Sequence, residues 1–285
     1  MEIQKVAVIG CGLMGSQIAM QVALSGYDVV CYTPVEDEIK RAQEFAKGWF
    51  EKSIAKEKIT EALAKESSER LTYTTDLETC VRQADLVIEA VVELLDVKRS
   101  ILKEIDALTP DHTIFASNSS YIVSSRFADV VKHPERVLNL HFFNPALVMK
   151  LVEIVRGPHV SDEIVEAMVA FVESIGKMPV VVEKEIHGFI VNRIFDAITK
   201  EACYLYDMGI ASVESIDVAV KNGLSHPMGP FELLDLIGID LQYYALSERY
   251  KDTGNPMDKP SPALVEQYAK RQFGRKTKKG FYDYE

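Results

Sequence analysis

Apolar and polar positions along this chain follow two different rhythms. In the first two-thirds, short apolar runs alternate with stretches whose apolar positions recur every three or four residues. The runs are VAVIG (6–10), DVVCY (28–32), DLVIEAV (85–91), TIFAS (113–117), RVLNLHFF (136–143) and KLVEIVRG (150–157). Their length and β-branched content predict buried strands. Helical patterns fall between them at 13–25, 36–52, 56–66, 97–108 and 123–131. Strands alternating with helices predict βαβ units and a mostly parallel sheet. The last two runs are joined only by NPALVM, too short for a parallel crossover, so they are expected to pair antiparallel. After PVVVEKE (179–185) the rhythm changes. From Gly188 onward the patterns at 188–208, 213–222, 229–248 and 262–273 are all helical, and KDTGNPMDKPSP (251–262) reads as a loop. The expected architecture is α/β: a sheet domain over 1–184, then an all-α C-terminal domain over 185–285.

The first strand runs into Gly10-Cys11-Gly12-Leu13-Met14-Gly15 and then a helix. Strand, G-x-G-x-x-G, helix and a second strand about 20 residues on form the Rossmann dinucleotide fingerprint. Gly10 permits the tight turn and Gly12 lets a pyrophosphate approach the backbone. Gly15 lets helix and strand pack closely, while the helix start at Leu13 and Met14 supplies N–H groups and positive dipole. A structural glycine turn in another α/β fold is the alternative. Such domains usually place a carboxylate at the end of the second strand, where this chain has Thr33. Thr33-Pro34-Val35-Glu36 reads as a capping box, with Thr33 at the N-cap, Pro34 at the first helical position and Glu36 at the third. Thr33 can bond a ribose hydroxyl but repels no 2′-phosphate. Glu36, Asp37 and Glu38 follow, and the first cations are Lys40 and Arg41. The acidic run disfavours a 2′-phosphate, so NAD is the expected cofactor, with NADP left open by the missing aspartate.

Candidate chemistry sits in LNLHFFNPALVMKLVEIVRG (138–157). Antiparallel pairing about a turn near Leu147 sets His141 opposite Glu153. A carboxylate beside an imidazole fixes its tautomer and stabilises the imidazolium, as a general base requires. On these residues alone, a surface His–Glu pair remains the alternative.

GCGLMG, SNSS (117–120), HFFNP (141–145), MKLVE (149–153), GFIVNR (188–193), HPMGPFELLD (226–235) and GRKTKKGFYDY (274–284) occur in that order. Together they resemble the L-3-hydroxyacyl-CoA dehydrogenase family, above all its bacterial 3-hydroxybutyryl-CoA branch, over essentially the whole chain. The resemblance implies an NAD(P)-dependent oxidation of (S)-3-hydroxyacyl-CoA to 3-oxoacyl-CoA. It implies His141 as base, Glu153 as its partner, Ser120 against substrate and nicotinamide, and Asn192 completing the site. It also implies cofactor contacts at Glu93, Lys98, Asn144 and Lys276, and a coenzyme A contact at Lys56 beside Lys52 and Lys58. Without the resemblance, Ser120 and Asn192 read as a turn serine and a helix-face asparagine, and the lysines as solvated charges. The chain departs from the family pattern at Thr33, Tyr121, His187 and Trp49. A related dehydrogenase of another 3-hydroxy acid or dicarboxyl-CoA, and a nucleotide-binding pseudoenzyme, are the competing readings.

Composition narrows the partners. The net charge of −11 opposes nucleic-acid binding driven by phosphate contacts. No apolar run is long enough to span a bilayer. MEIQKVAVIG lacks the pattern of a secretory leader, so a cytoplasmic location is expected. Cys11, Cys31, Cys80 and Cys203 show no metal spacing, so no metal is expected and the thiols read as packed, reduced side chains. Apolar positions Phe195, Ile198, Tyr204, Leu234 and Leu241 exceed what a small helical domain would bury, and predict a homodimer surface.

Overall fold

The computed structural model describes residues 3–285. The chain divides into two compact units, one running to Ile190 and the other Val191–Glu285. In the first unit the elements are β1 (Lys5–Ile9), α1 (Leu13–Leu24), β2 (Asp28–Tyr32), α2 (Glu36–Ala55), α3 (Glu61–Arg70), β3 (Leu71–Thr74), α4 (Leu77–Val81) and β4 (Leu86–Glu89). They continue with α5 (Leu95–Leu108), β5 (Ile114–Ser117), β6 (Val137–Phe142), β7 (Leu151–Val155), α6 (Asp162–Ser174) and β8 (Met178–Val182).

One eight-stranded sheet runs β3-β2-β1-β4-β5-β6-β7-β8. Its pairs are parallel except β6–β7, which is antiparallel. Successive side chains of a strand point to opposite faces, and both faces here are covered. Val6 and Val8 pack with α1, α2, α3 and α6, whereas Ala7 and Ile9 pack with α4 and α5. That is why the strands read as continuous apolar runs rather than alternating ones.

The glycine turn is set by steric necessity. Gly10 has φ +108°, and a Cβ there would stand 2.6 Å from the Ala90 carbonyl oxygen. A Cβ on Gly15 would stand 1.8 Å from the Gly10 carbonyl oxygen. Gly12 caps α1 with no side-chain bond to its first turn, and the space where its Cβ would stand is open to 4 Å.

Several expectations need correction. Thr33 is not an N-cap, because α2 begins at Glu36 with Val35 as its cap. The Thr33 N–H still donates to the Thr74 carbonyl at 3.3 Å, so the backbone continues the sheet past β2, and its hydroxyl donates to Glu38 Oε2. The 56–66 pattern becomes α3, starting at Glu61 behind a Thr60 cap. The 123–131 pattern forms two single 3₁₀ turns, Ser124–Arg126 and Ala128–Val130. The edge strand β3 and helices α4 and α6 were not expected from the pattern. The four cysteines are free and buried. The Cys11 and Cys31 sulfurs lie 3.0 Å apart, and that hydrogen bond, with burial, pushes the Cys31 thiol up. Burial pushes Cys80 up to about 12 and Cys203 to about 11. All three remain protonated side chains of the core.

The second unit holds α7 (Val191–Asp207), α8 (Val213–Gly223), α9 (Pro230–Ile237), α10 (Ile239–Thr253) and α11 (Pro262–Ala269). The single helix expected over 229–248 breaks at Gly238, whose φ of +115° no helix continues. Cys203, Phe231, Leu234 and Ile239 form the centre of its core. Leu234 therefore leaves the proposed dimer surface. Two buried carboxylates tie down the backbone. Asp217 accepts the Phe231 and Glu232 N–H groups at 2.9 and 3.0 Å, capping α9. Asp235 accepts those of Phe281 and Tyr282 at 3.0 and 2.9 Å, holding the C-terminal segment.

The close approach at Gly15 makes a testable demand. Gly15→Ala must push α1 away from the turn, and the expected loss is about 2 kcal/mol of stability, a typical overpacking cost. Chemical denaturation measures it; an unchanged midpoint would show that helix and turn are not in contact.

Candidate active site

β6 and β7 pair with His141 opposite Glu153, in the expected register. Both side chains are buried, His141 to 4% exposure and Glu153 to 0%. Imidazole Nδ1 lies 2.8 Å from Glu153 Oε2. The other carboxylate oxygen, Oε1, accepts the Ile190 N–H at 2.9 Å. Since the carboxylate can only accept here, Nδ1 carries the hydrogen and Nε2 is left with its lone pair. The Ser120 hydroxyl is 3.1 Å from Nε2. Phe143 and Phe189 flank the imidazole, with ring centroids at 4.5 and 5.3 Å. Phe189 is buried at φ +48°, a conformation that non-glycine residues seldom adopt.

Ser120 sits on a turn held by charge. Glu93 Oε1 accepts from the Ser119 hydroxyl and from the Tyr121 and Ile122 N–H groups, the last two at 3.1 and 3.3 Å. Glu93 Oε2 lies 3.2 Å from Lys98 Nζ. Lys98 is only 2% exposed and is also bonded to both Glu89 oxygens, at 2.9 and 3.0 Å. Ser117 donates to Glu89 Oε2 at 2.5 Å. Burial works against the charge of Glu93. Lys98 and the bonds from Ser119 and Tyr121 outweigh it and hold the carboxyl below its usual range. Lys98 is thus neither a solvated charge nor open to a ligand on its buried side. Glu89, Ser119 and Phe189 were missed from the sequence. A carboxylate inside the apolar run DLVIEAV was the available signal for Glu89.

The remaining candidates divide between the two units. Asn144 is exposed just beyond β6, three residues after His141. Lys52 is exposed in the last turn of α2, and Lys56 is exposed as its C-cap. The Thr33 hydroxyl donates to Glu38 Oε2 at 2.7 Å. Gly10, Gly12, Leu13, Met14 and Gly15 form the turn described above. Tyr121 stacks obliquely on His187, ring centroids 4.8 Å apart. In the second unit, Asn192 lies in the first turn of α7, and Lys276 Nζ is 2.5 Å from Asp240 Oδ2.

A glycine turn after β1 and a buried imidazole–carboxylate pair on β6 and β7 of the same sheet fit a nicotinamide-dependent dehydrogenase. Two family models match: the NAD binding domain of 3-hydroxyacyl-CoA dehydrogenase over residues 5–186, and the C-terminal domain of the same enzymes over 188–284. The chain belongs to the 3-hydroxyacyl-CoA dehydrogenase family. Mitochondrial hydroxyacyl-coenzyme A dehydrogenase of Homo sapiens is 40% identical, covering 99% of this chain and 91% of that one. The 3-hydroxybutyryl-CoA dehydrogenase of Clostridioides difficile is 38% identical over 98% and 99%. The crystal structure of (S)-3-hydroxybutyryl-CoA dehydrogenase from Ralstonia eutropha superposes with a TM-score of 0.93 at 36% identity, covering both chains fully. The protein is a 3-hydroxyacyl-CoA dehydrogenase with an NAD-binding Rossmann domain. Among the described residues no helix is long and apolar enough to cross a membrane.

The depressed Glu93 carboxyl has a pH signature. Its folded value lies below the unfolded one, so its stabilising contribution is complete above the ordinary glutamate value of 4.5 and fades as pH falls through the folded value. Glu93→Gln is expected to lower stability at pH 7 and to approach the parent's stability on acidification. Urea melts at pH 7 and pH 4 check this; a constant difference between the two proteins would exclude the charged role.

Proposed function

We propose that the dehydrogenase interconverts (S)-3-hydroxybutyryl-CoA and acetoacetyl-CoA, with His141 as general base and Glu153 as its partner. The observation that carries this reading is the buried Nδ1–Glu153 bond, which leaves Nε2 as the proton acceptor. As Nε2 takes the substrate's hydroxyl proton, the imidazole becomes cationic beside a carboxylate that is already ordered. The Ile190 N–H holds that carboxylate from its other side, so little reorganisation accompanies the charge. Ser120, within reach of Nε2, donates its hydroxyl to the reacting oxygen. Bound NAD supplies the nicotinamide that accepts the hydride from C3.

The backbone from Gly10 to Gly15, with the N–H groups of Leu13 and Met14, holds the pyrophosphate. Glu93 and Lys98 serve the cofactor side by holding the serine turn, and Asn144 lies at the edge of the same site. Lys52 and Lys56 offer exposed positive charge to coenzyme A phosphates. Asn192 and Lys276 carry the substrate and cofactor roles that the resemblance implies. Tyr204 and Leu241 are 54% and 57% exposed in the second unit, along with Ile194, Met208 and Ile210. These apolar side chains support a homodimer.

Two measurements test this reading. His141→Gln and Glu153→Gln are each expected to lower kcat with acetoacetyl-CoA and NADH, His141→Gln by ~10²–10⁴-fold, the usual contribution of a general base. Turnover of His141→Gln within a few-fold of the parent would remove the base assignment. Light scattering at micromolar concentration is expected to give the mass of a dimer, and a monomer mass would refute the dimer surface.

A further inference from the structure

We propose that Glu38 binds the adenosine ribose of the dinucleotide in place of the missing aspartate, and sets the preference for NAD over NADP. The proposal deepens the cofactor reading above and rests on it. The Gly10 N–H donates to the Tyr32 carbonyl at 2.7 Å, so residue 33 leaves β2 directly beside the glycine turn. A Rossmann domain offers an acidic side chain to the ribose at that point. Thr33 is only 2% exposed, and its hydroxyl hydrogen is committed to Glu38 Oε2 at 2.7 Å. That bond fixes the Glu38 head group one hydrogen-bond length beyond the side chain of residue 33. Negative charge has returned to the position by way of α2.

The neighbouring cations point the same way. A 2′-phosphate reader needs an arginine or lysine turned toward the ribose. Lys40 Nζ is instead 3.1 Å from Asp37 Oδ1, and Arg41 Nε donates to the Asp37 carbonyl at 3.1 Å. Glu36, Asp37 and Glu38 all lie in the first turn of α2, where they offset the positive end of its dipole. A carboxylate accepts several hydrogen bonds at once. Glu38 has capacity for ribose hydroxyls while holding Thr33, and it repels a phosphate on the 2′ oxygen.

Calorimetric titration of the full chain with NAD⁺ and with NADP⁺, without acyl-CoA, tests this independently of turnover. The parent is expected to bind NAD⁺ more tightly. Glu38→Gln is expected to shrink that preference by about tenfold, since a charge-assisted hydrogen bond is lost and a repulsion removed. Thr33→Val, which frees the Glu38 head group, is expected to act in the same direction but less. Glu36→Gln removes equal charge from the same turn, and is expected to change the preference by no more than about twofold. An unchanged preference in Glu38→Gln, or an equal effect of Glu36→Gln, overturns the role of Glu38. A parent that binds neither dinucleotide overturns the cofactor site itself, a different result. Circular dichroism melts of each variant confirm that the folded protein was titrated.

Discussion

The antiparallel pairing of β6 with β7 is the constraint on which the rest of the site depends. Everywhere else in the sheet neighbouring strands run parallel, and a parallel β7 beside β6 would require a long crossover. The short connection after His141 reverses the chain instead, and the register then leaves no choice: His141 faces Glu153. A slip of one residue would send the carboxylate to the opposite face of the sheet. Burying an ionisable pair this deeply is expensive unless each oxygen and nitrogen is satisfied. Here the Ile190 N–H and Nδ1 occupy the two carboxylate oxygens. A pair of apolar residues would fill the same volume at no electrostatic cost, so stability alone does not account for it. On the mechanism proposed above, proton transfer at Nε2 does.

The second half of the site is organised by a second group of charges, of which Lys98 and Glu89 are buried. Ser120 has no regular element of its own; it sits on a turn beyond β5. Glu93 gathers one hydroxyl and two N–H groups of that turn on a single oxygen, while Lys98 and Glu89 fix Glu93 from behind. The ammonium of Lys98 lies between two carboxylates, and this balance makes its near-complete burial tolerable. The turn is therefore positioned by hydrogen bonds to an ion-paired carboxylate far back in the sequence, and this sets the Ser120 hydroxyl 3.1 Å from His141 Nε2.

Much of this was legible in the residues because the governing rules are local. Strand positions followed from run length, the glycine turn from its flanking strand and helix, and the His141–Glu153 pair from the length of one connection. What escaped was decided at longer range. The segment LTYT carries strand-favouring Thr and Tyr but spans only four residues with no apolar run, and it forms β3 by pairing with the edge of β2. The 123–131 pattern has helical periodicity, yet its backbone closes only single 3₁₀ turns. Gly238 ends a helix inside an otherwise continuous apolar pattern, through a backbone angle that periodicity does not register. Lys98 looked like a surface charge because its two partners lie five and nine residues away, and only the fold brings them together.

Thr33 shows the same contest between local and distant forces. Its sequence context is that of a helix cap, and the capping preference is worth roughly 1 kcal/mol. The cap does not form: the N–H of Thr33 stays bonded to β3, and the helix starts three residues later. The hydroxyl released from capping then bonds the side chain of Glu38. The carboxyl ends of the parallel strands β1, β2, β4, β5 and β6 thereby carry, in turn, the glycine turn, a tethered carboxylate, Glu89, the serine turn and His141. In an open α/β sheet this is the edge where ligands bind, because strand ends there give way to loops and helix N-termini. Groups at the ends of five separate strands lie along that one edge through sheet topology, which explains why they are separated in sequence.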